Sequence, residues 1–252
     1  MTTGAARPEV LIALRDELVA RLADDFRAEA ARAMTRCGSF AVALPGGSVA
    51  VHAFPALAAL PLDWSRVHFF WSDERAVPPS DPESNYAIAR ASWFDPAHVP
   101  AAAIHRMPAD GPDLVAAARD HAAELSRRLG APPRLDYALL GVGPDGHVAS
   151  LFPGHPAATD DRQSVIAVPD SPKPPTRRLT LCLPVLAGAE RVVVMALGDA
   201  KARAIRAALE EPDSPLPVAR LLRAAARPLV LIDPGAASAL HGHGARRDRG
   251  AA

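Results

Sequence analysis

The sequence predicts an α/β protein with a mainly parallel sheet and helices on both of its faces. Several short segments are apolar throughout, which is typical of strands buried on both sides, and helix-like segments separate them. The chain has 252 residues, 49% hydrophobic and 22% charged, which suits one globular domain of this class. We expect a single α/β domain over residues 1–240 and a disordered tail rich in Gly, Arg and His over residues 241–252.

The N-terminal half begins with a predicted helix over residues 8–34, because its leucines recur at helical spacing. Apolar runs that end in glycine or polar loops then predict strands, and the longer stretches between them predict helices. The predicted strands are residues 40–44, 67–71 and a short candidate at 104–107, and the predicted helices are residues 49–60, a segment from Ser84 and residues 112–129.

The C-terminal half continues the alternation without a linker or an internal repeat. The predicted strands are residues 135–141, 164–168, 179–183, 192–197 and 229–232, and the predicted helices are residues 201–209 and 216–223.

The charge balance and the cysteines narrow the range of functions. With 28 Lys and Arg against 28 Asp and Glu, the chain has no overall basic field, so we expect no nucleic-acid or membrane partner. The sequence shows neither a membrane-spanning apolar segment nor a signal peptide, which predicts a cytoplasmic protein. Cys37 and Cys182 form no CxxC pair, and we expect both to be small buried residues rather than disulfide or zinc ligands.

Four loops that follow predicted strands carry most of the reactive side chains, at the edge where parallel α/β sheets bind ligands. In the first, Gly46, Gly47 and Ser48 precede a helix, so their backbone can approach an anion at the helix N-terminus. The alternative is a plain turn with Ser48 as the helix cap.

The second loop contains Asp73 and Arg75, with Asn85 further along the chain. Arginine binds phosphate with two parallel hydrogen bonds, and an aspartate can orient a base or a sugar hydroxyl. An internal ion pair beside a solvated Glu74 is the alternative.

The third loop, residues 141–147, contains three glycines and a proline and places Asp145 two positions before His147. Such a loop follows an unusual backbone path, and the ordinary pKa of histidine suits general-base catalysis at neutral pH. We interpret His147 as functional rather than structural.

The fourth loop contains Lys201 at a helix start, where the helix dipole disfavours a cation unless an anion binds there. Lys173 lies with Arg177 and Arg178 in a proline-rich segment that can close over a charged substrate. Solvent exposure is the alternative for both lysines, the only two in the chain.

Together, the residues of the four loops indicate an α/β enzyme that acts on a small phosphorylated anion and uses histidine as acid and base. The sequence shows neither the spacing of metal ligands nor the GxSxG motif of serine hydrolases.

Taken in this order, the loops resemble the 6-phosphogluconolactonase family of the glucosamine-6-phosphate deaminase/6-phosphogluconolactonase superfamily. The stretches that carry the resemblance are LPGGS (44–48), WSDER (71–75), SNY (84–86), GVGPDGHVASLFPG (141–154), PPTRRLT (174–180) and GDAK (198–201). The long glycine-rich stretch is the most specific of them.

The resemblance implies a Rossmann-like fold shared with glucosamine-6-phosphate deaminase and ribose-5-phosphate isomerase. It also implies hydrolysis of 6-phospho-D-glucono-1,5-lactone, the second step of the oxidative pentose phosphate pathway, without a metal or organic cofactor. By this likeness His147 activates water, and either Asp145 or Asp73 orients the site. The residues expected to bind the phosphate and the oxyanion are Gly46, Gly47, Ser48, Arg75, Asn85, Arg178 and Lys201. The expected partner is the sugar-phosphate lactone, and monomer and homodimer both stay open.

Three residues depart from the family pattern. Val49 and Val148 stand where threonine is usual, and Pro45 stands where serine is usual. Because valine lacks the threonine hydroxyl, we expect weakened or rearranged phosphate contacts.

A glucosamine-6-phosphate deaminase and a non-catalytic sugar-phosphate sensor are the alternative functions. The deaminase family carries a glutamate shortly after the histidine, whereas this chain has Ser150, Leu151 and Phe152 there. A sensor would bring a DNA-binding or partner module, and the sequence shows none. An esterase for other lactones also stays open.

Overall fold

Two sheets surrounded by helices make up the computed structural model, which describes residues 7–241. The strands within these residues are β1 (Glu9–Ile12), β2 (Phe40–Leu44), β3 (Val67–Trp71), β4 (Asp73–Arg75), β5 (Tyr137–Gly141), β6 (Val165–Val168), β7 (Arg178–Leu181), β8 (Arg191–Ala196) and β9 (Pro228–Ile232). The main sheet is parallel with the order β1-β9-β8-β5-β2-β3, and a small antiparallel sheet has the order β4-β7-β6. The predicted α/β class is confirmed.

Helices cover the sheet and connect its strands. Those within the described residues are α1 (Arg15–Cys37), α2 (Gly47–Ala58), α3 (Asn85–Ala89), α4 (Leu114–Leu129), α5 (Leu183–Ala187), α6 (Ala202–Glu210) and α7 (Pro217–Ala224). Among these, no helix is long and apolar enough to cross a membrane. A π-helical turn extends α3, and short 3₁₀ turns precede β3 and α6.

The main sheet grows in two directions from the neighbouring strands β2 and β5. β3 is added on the far side of β2, whereas β8 and β9 are added on the far side of β5. The loops that leave β2 and β5 therefore diverge, which opens a crevice at the carboxyl ends of these strands.

One contiguous core fills the space between the sheet and the helices and includes side chains from Leu18 to Leu240. Its centre is aromatic: the ring of Phe26 packs edge-on against those of Phe40 at 5.1 Å and Tyr137 at 5.3 Å. This core supports our proposal of one domain over residues 1–240.

The short strand candidate at residues 104–107 is absent, because only Ile104 makes an isolated bridge, with Phe69. Besides this candidate, two local predictions were wrong in the N-terminal half. Residues 9–12 form a strand rather than the start of a helix, because their backbone pairs with β9, with Leu11 opposite Leu231. Cys37 is exposed at the end of α1, whereas Cys182 is buried as predicted. The predicted tail lies outside the described residues except for His241.

A further difference concerns residues 73–75, which the sequence placed in a loop and the structure places in β4. Asp73 pairs with Thr180 and Arg75 with Arg178, both on β7. A partner so distant in sequence leaves no local signal for this strand.

A buried ion pair joins four elements at the amino ends of the strands. Arg191 donates from Nη2 to Asp25 Oδ1 at 2.7 Å and from Nε to Oδ2 at 3.2 Å, and Tyr137 Oη donates to the same Oδ2 at 3.1 Å. The Arg191 guanidinium also reaches Glu9 of β1 at 3.0 Å. Removing Asp25 would leave the buried Arg191 with only the half-exposed Glu9 as a carboxylate partner.

We expect Asp25→Ala to lower the free energy of unfolding by about 3 kcal/mol, because Arg191 loses its buried partner and keeps only the half-exposed Glu9. The matched control is Asp24→Ala, which removes an exposed ion pair with Arg27 and should cost less than about 1 kcal/mol. Urea unfolding followed by circular dichroism measures both. Equal losses in the two variants would contradict this account of the buried pair.

Candidate functional site

A pocket of about 230 Å³ opens at the carboxyl ends of β2, β3 and β5, where the sheet diverges. The structure brings nine of the predicted site residues to its wall: Gly46, Gly47, Ser48, Asp73, Arg75, Asn85, His147, Arg178 and Lys201. Asp145, the tenth, lies directly behind His147. Lys173 also lines the pocket, so it is not simply a solvated loop residue.

The imidazole of His147 is held by one carboxylate oxygen. Nδ1 lies 2.5 Å from Asp145 Oδ1, and the ring packs on Phe152 with 4.5 Å between the centroids. Within residues 7–241 no hydrogen bond involves Nε2, so this nitrogen is free for a ligand. Asp145, not Asp73, is therefore the aspartate in contact with the histidine.

Lys173 shares this carboxylate. Its Nζ lies 3.4 Å from Asp145 Oδ1 and 3.4 Å from His147 Nδ1. Burial lowers the pKa of His147, and the charge of Lys173 lowers it further, while the hydrogen bond and charge of Asp145 oppose both effects. Burial would raise the pKa of Asp145, yet that pKa is lowered, because the hydrogen bond with His147 and the charge of Lys173 outweigh burial.

Glycine at position 143 is required by the close approach of this pair. A Cβ atom there would lie 2.0 Å from both Cε1 and Nδ1 of His147 and 2.5 Å from Asp145 Oδ1. Ala149, two residues after the histidine, has a φ of 50°, which is a strained value for a residue with a side chain. The position of His147 thus requires a glycine at residue 143 and a strained backbone at Ala149.

The first loop forms the N-terminus of α2. The helix begins at Gly47, and its N-cap residue Gly46 makes no side-chain cap hydrogen bond, so the interpretation of Ser48 as the cap is wrong. The uncapped N–H groups of this first turn are available to an anion in the pocket. Gly46 cannot carry a side chain, because its Cβ would lie 1.8 Å from Asn85 Oδ1.

Asp73 belongs to a buried network at the pocket wall. Its Oδ2 accepts a hydrogen bond from Ser150 Oγ at 2.6 Å, and Arg178 Nη1 donates to the same Ser150 Oγ at 3.3 Å. Arg178 Nη1 itself lies 3.9 Å from Asp73 Oδ2. Asn85 Nδ2 donates to the backbone oxygen of Asp73 at 2.9 Å, which fixes the strand end. Sequence reasoning missed Ser150, whose partners are distant in the chain.

Glu74 is buried and structural, so the alternative of a solvated glutamate at this position is wrong. Its carboxylate accepts hydrogen bonds from the backbone N–H groups of Arg75, Asn85 and Tyr86 at 2.7–2.9 Å. It also accepts one from Ser84 Oγ at 3.0 Å. Burial raises the pKa of Glu74 against these bonds. The glutamate thereby anchors α3 and Asn85 beside the pocket.

Four cationic side chains line one small pocket: Arg75, Lys173, Arg178 and Lys201. Burial and the nearby charge of Lys173 lower the pKa of Lys201, and burial lowers that of Arg178. Like charges held together in this way favour an anionic ligand. Within residues 7–241, no group of three His, Cys, Asp or Glu side chains is arranged to hold a metal ion.

The two valines that depart from the family pattern occupy different places. Val49 lines the pocket, whereas Val148 is fully buried and forms a bridge with Leu151. A missing hydroxyl can therefore affect ligand contacts directly at Val49 only.

Comparisons with known proteins agree with this geometry. A family model described as glucosamine-6-phosphate isomerases/6-phosphogluconolactonase matches residues 13–230. A 6-phosphogluconolactonase of Streptomyces coelicolor is 39% identical over 92% of this chain and 95% of its own length. The crystal structure of 6-phosphogluconolactonase from Leishmania guyanensis superposes with a TM-score of 0.83 at 29% identity, covering 96% of this chain and 100% of that one. A monomeric glucosamine-6-phosphate deaminase shares the fold with a TM-score of 0.77 at 23% identity, covering 92% of this chain and 99% of its own.

The contacts of His147 predict opposite pKa changes in two variants. Asp145→Asn removes the carboxylate that raises the pKa of His147, so that pKa should fall. Lys173→Met removes the charge that lowers it, so that pKa should rise. Titration of the His147 ring signals by NMR measures both. Shifts of the same sign in the two variants would show that the pair is not coupled as the distances indicate.

Proposed function

The chain belongs to the glucosamine-6-phosphate isomerase/6-phosphogluconolactonase family, and we propose that it hydrolyses 6-phospho-D-glucono-1,5-lactone with His147 as the general base. The predicted family resemblance is confirmed, and the chain is an enzyme of the lactonase class. One observation carries the proposed mechanism: an imidazole held by a carboxylate at Nδ1 lies in a pocket with four cationic side chains.

The proposed reaction uses one ring nitrogen twice. With Nδ1 bound to Asp145, Nε2 of His147 accepts a proton from water as the water oxygen attacks C1 of the lactone. The carbonyl oxygen becomes an oxyanion, and the C1–O5 bond then breaks. The protonated Nε2 returns its proton to O5, which leaves the C5 hydroxyl and a C1 carboxylic acid. This acid releases the second proton of the water to solvent and becomes the carboxylate of 6-phosphogluconate.

The lowered pKa of His147 supports the first step. Burial and the charge of Lys173 favour the neutral imidazole, which is the state that accepts a proton. The carboxylate of Asp145 then stabilises the imidazolium as it forms. Asp145 is thus proposed as the residue that orients and supports the base.

The remaining pocket residues are proposed to bind the two anionic groups of the substrate. Lys201, Arg178 and Arg75 supply positive charge for the phosphate and the oxyanion, and Gly46 and Gly47 supply backbone N–H groups. We propose that Asp73, fixed by Ser150 and Asn85, contacts the sugar hydroxyls. Positioning of this kind is sufficient for a lactone that already opens in water.

The side chain of Phe152, which packs against His147, disfavours the deaminase alternative. Phe152 packs against the imidazole at 4.5 Å, and Ser150 is buried on Asp73. The stretch that carries a glutamate in deaminases therefore carries an apolar ring here, with no acid to assist the opening of an amino sugar.

We also propose that the protein acts in the cytoplasm without nucleic-acid or membrane partners, with monomer and homodimer both open. A phosphorylated sugar lactone is a dianion that does not cross membranes, so its hydrolase is expected where the lactone is made.

We expect the purified protein to accelerate acid release from freshly prepared 6-phosphogluconolactone, with a chelator present, and His147→Ala to lower kcat by about 10²–10⁴-fold. A pH-stat measures the rate above the spontaneous background. The matched control is His155→Ala, because His155 is also bonded to a carboxylate, Asp170 at 3.0 Å, but lies outside the pocket. An unchanged rate in His147→Ala would exclude the proposed base. No acceleration by the wild type would favour a sensor, and ammonia release from glucosamine 6-phosphate would favour a deaminase.

We expect Lys201→Gln to raise KM for the phosphorylated lactone by about ten- to a hundredfold, because a charge-assisted contact to the phosphate is lost. Glucono-1,5-lactone, which has no phosphate, is the control substrate, and its slower hydrolysis should be unaffected. Equal losses for both lactones would place Lys201 at the oxyanion rather than at the phosphate.

A further inference from the structure

A second cleft, of about 770 Å³, lies at the amino ends of the strands that carry the pocket. Ala41 of β2, His68 of β3 and Asp136 beside β5 line it. The pocket with His147 lies at the opposite ends of these three strands, so the two cavities are separate. The volume of the cleft falls within the range of small-molecule sites, about 300–1,000 Å³.

The wall of this cleft carries more positive than negative charge. Four arginines line it, at positions 36, 127, 128 and 134, against the two carboxylates of Asp136 and Glu190. Asp136 is already used, because it pairs with Arg36 and its Oδ2 accepts a hydrogen bond from the backbone N–H of Ala41 at 2.8 Å. Its negative charge is therefore not available to the other arginines.

The remaining guanidinium groups have capacity for a ligand. Arg127 makes no ion pair or hydrogen bond within residues 7–241, and Arg134 lies 3.9 Å from Glu190 in a largely exposed pair. Arg128 uses only Nε, towards Glu124 at 3.1 Å. Arg36, Arg127 and Arg128 lie in the last turns of α1 and α4, where the helix dipole favours a cation. Arg134 lies beyond the end of α4, so the helix dipole does not account for its charge.

We propose that this cleft binds a small anion with more than one phosphate group. Guanidinium groups pair with phosphate oxygens in two parallel hydrogen bonds, and a cleft of about 770 Å³ lined by several arginines has room and positive charge for more than one phosphate group. The triphosphate of a nucleotide and free tripolyphosphate share this chemistry.

The NMR ring signals of His68 can report the binding of an anion in the cleft. Its Nδ1 lies 3.1 Å from His105 Nε2, and His105 lies 3.6 Å from Glu124 through Nδ1. Burial and the charge of Arg128 lower the pKa of His68. A phosphate bound near Arg128 would offset that charge, so the His68 ring signals should move on binding.

The experiment is an NMR titration of the histidine ring signals of the full chain with tripolyphosphate and, separately, with ATP at constant ionic strength. We expect a saturable shift of His68, with binding at least about tenfold weaker in the Arg127→Gln/Arg134→Gln variant. The control is Arg119→Gln, which removes an equal kind of charge from an exposed pair with Asp120 outside the cleft and should leave binding unchanged.

The His147 signals distinguish the cleft from the pocket in the same spectra. A saturable shift confined to His147, the absence of any saturable shift at His68, or equal binding by the double variant would each overturn the proposal. Tighter binding of ATP than of tripolyphosphate would assign the cleft to a nucleotide, and equal binding would assign it to the phosphate chain alone.

Discussion

The proposed chemistry of the pocket depends on one oxygen atom, Asp145 Oδ1. It holds Nδ1 of His147 at 2.5 Å and lies 3.4 Å from the ammonium group of Lys173. The carboxylate fixes the ring and leaves Nε2 free, while the lysine beside it opposes protonation of that ring. Burial lowers the pKa of His147, the carboxylate raises it, and the charge of Lys173 lowers it again. Without Lys173 a larger fraction of the rings would be protonated and unable to accept a proton.

The rest of the fold positions this group and the cations around it. Gly143 lets the loop pass so close that any side chain would collide with His147. The small antiparallel sheet brings Asp73 and Arg178 to the facing wall, and it is tied to the main sheet where Leu181 donates its backbone N–H to the oxygen of Ser72 at 2.8 Å. Ser150 joins the two walls, because it follows His147 in the chain and bonds to Asp73. Hydrogen bonds thus connect the loop of the proposed base with the wall that carries the proposed binding groups.

The sequence was sufficient to predict the parts of the molecule that depend on local patterns. Apolar runs such as residues 40–44 identify buried strands, and the glycines around His147 identify an unusual loop, so five of the six strands of the main sheet and the site loops were predicted. The parts that were missed depend on distant partners. β1 forms because β9 lies beside it, β4 forms because β7 lies beside it, and Glu74 is buried because the start of α3 folds over its carboxylate. A local sequence pattern cannot predict these contacts, because the partners lie far apart in the chain.

The neutral formal charge also gives little information about the potential at either end of the sheet. Several carboxylates are used inside the protein: Asp25 pairs with Arg191, Asp136 with Arg36, and Glu74 accepts backbone hydrogen bonds. These carboxylates are compensated by partners inside the protein, so cationic side chains outnumber carboxylates in the pocket and in the cleft.

The only two lysines of the chain both line the pocket, whereas the arginines are distributed over the whole protein. A lysine is a compact charge on a flexible stem whose pKa responds to its surroundings, whereas arginine stays charged and fixes geometry. In the proposed mechanism Lys173 lowers the pKa of the base, which needs a charge close to the imidazole, whereas Arg75 and Arg178 supply fixed charge for the anionic groups of the substrate.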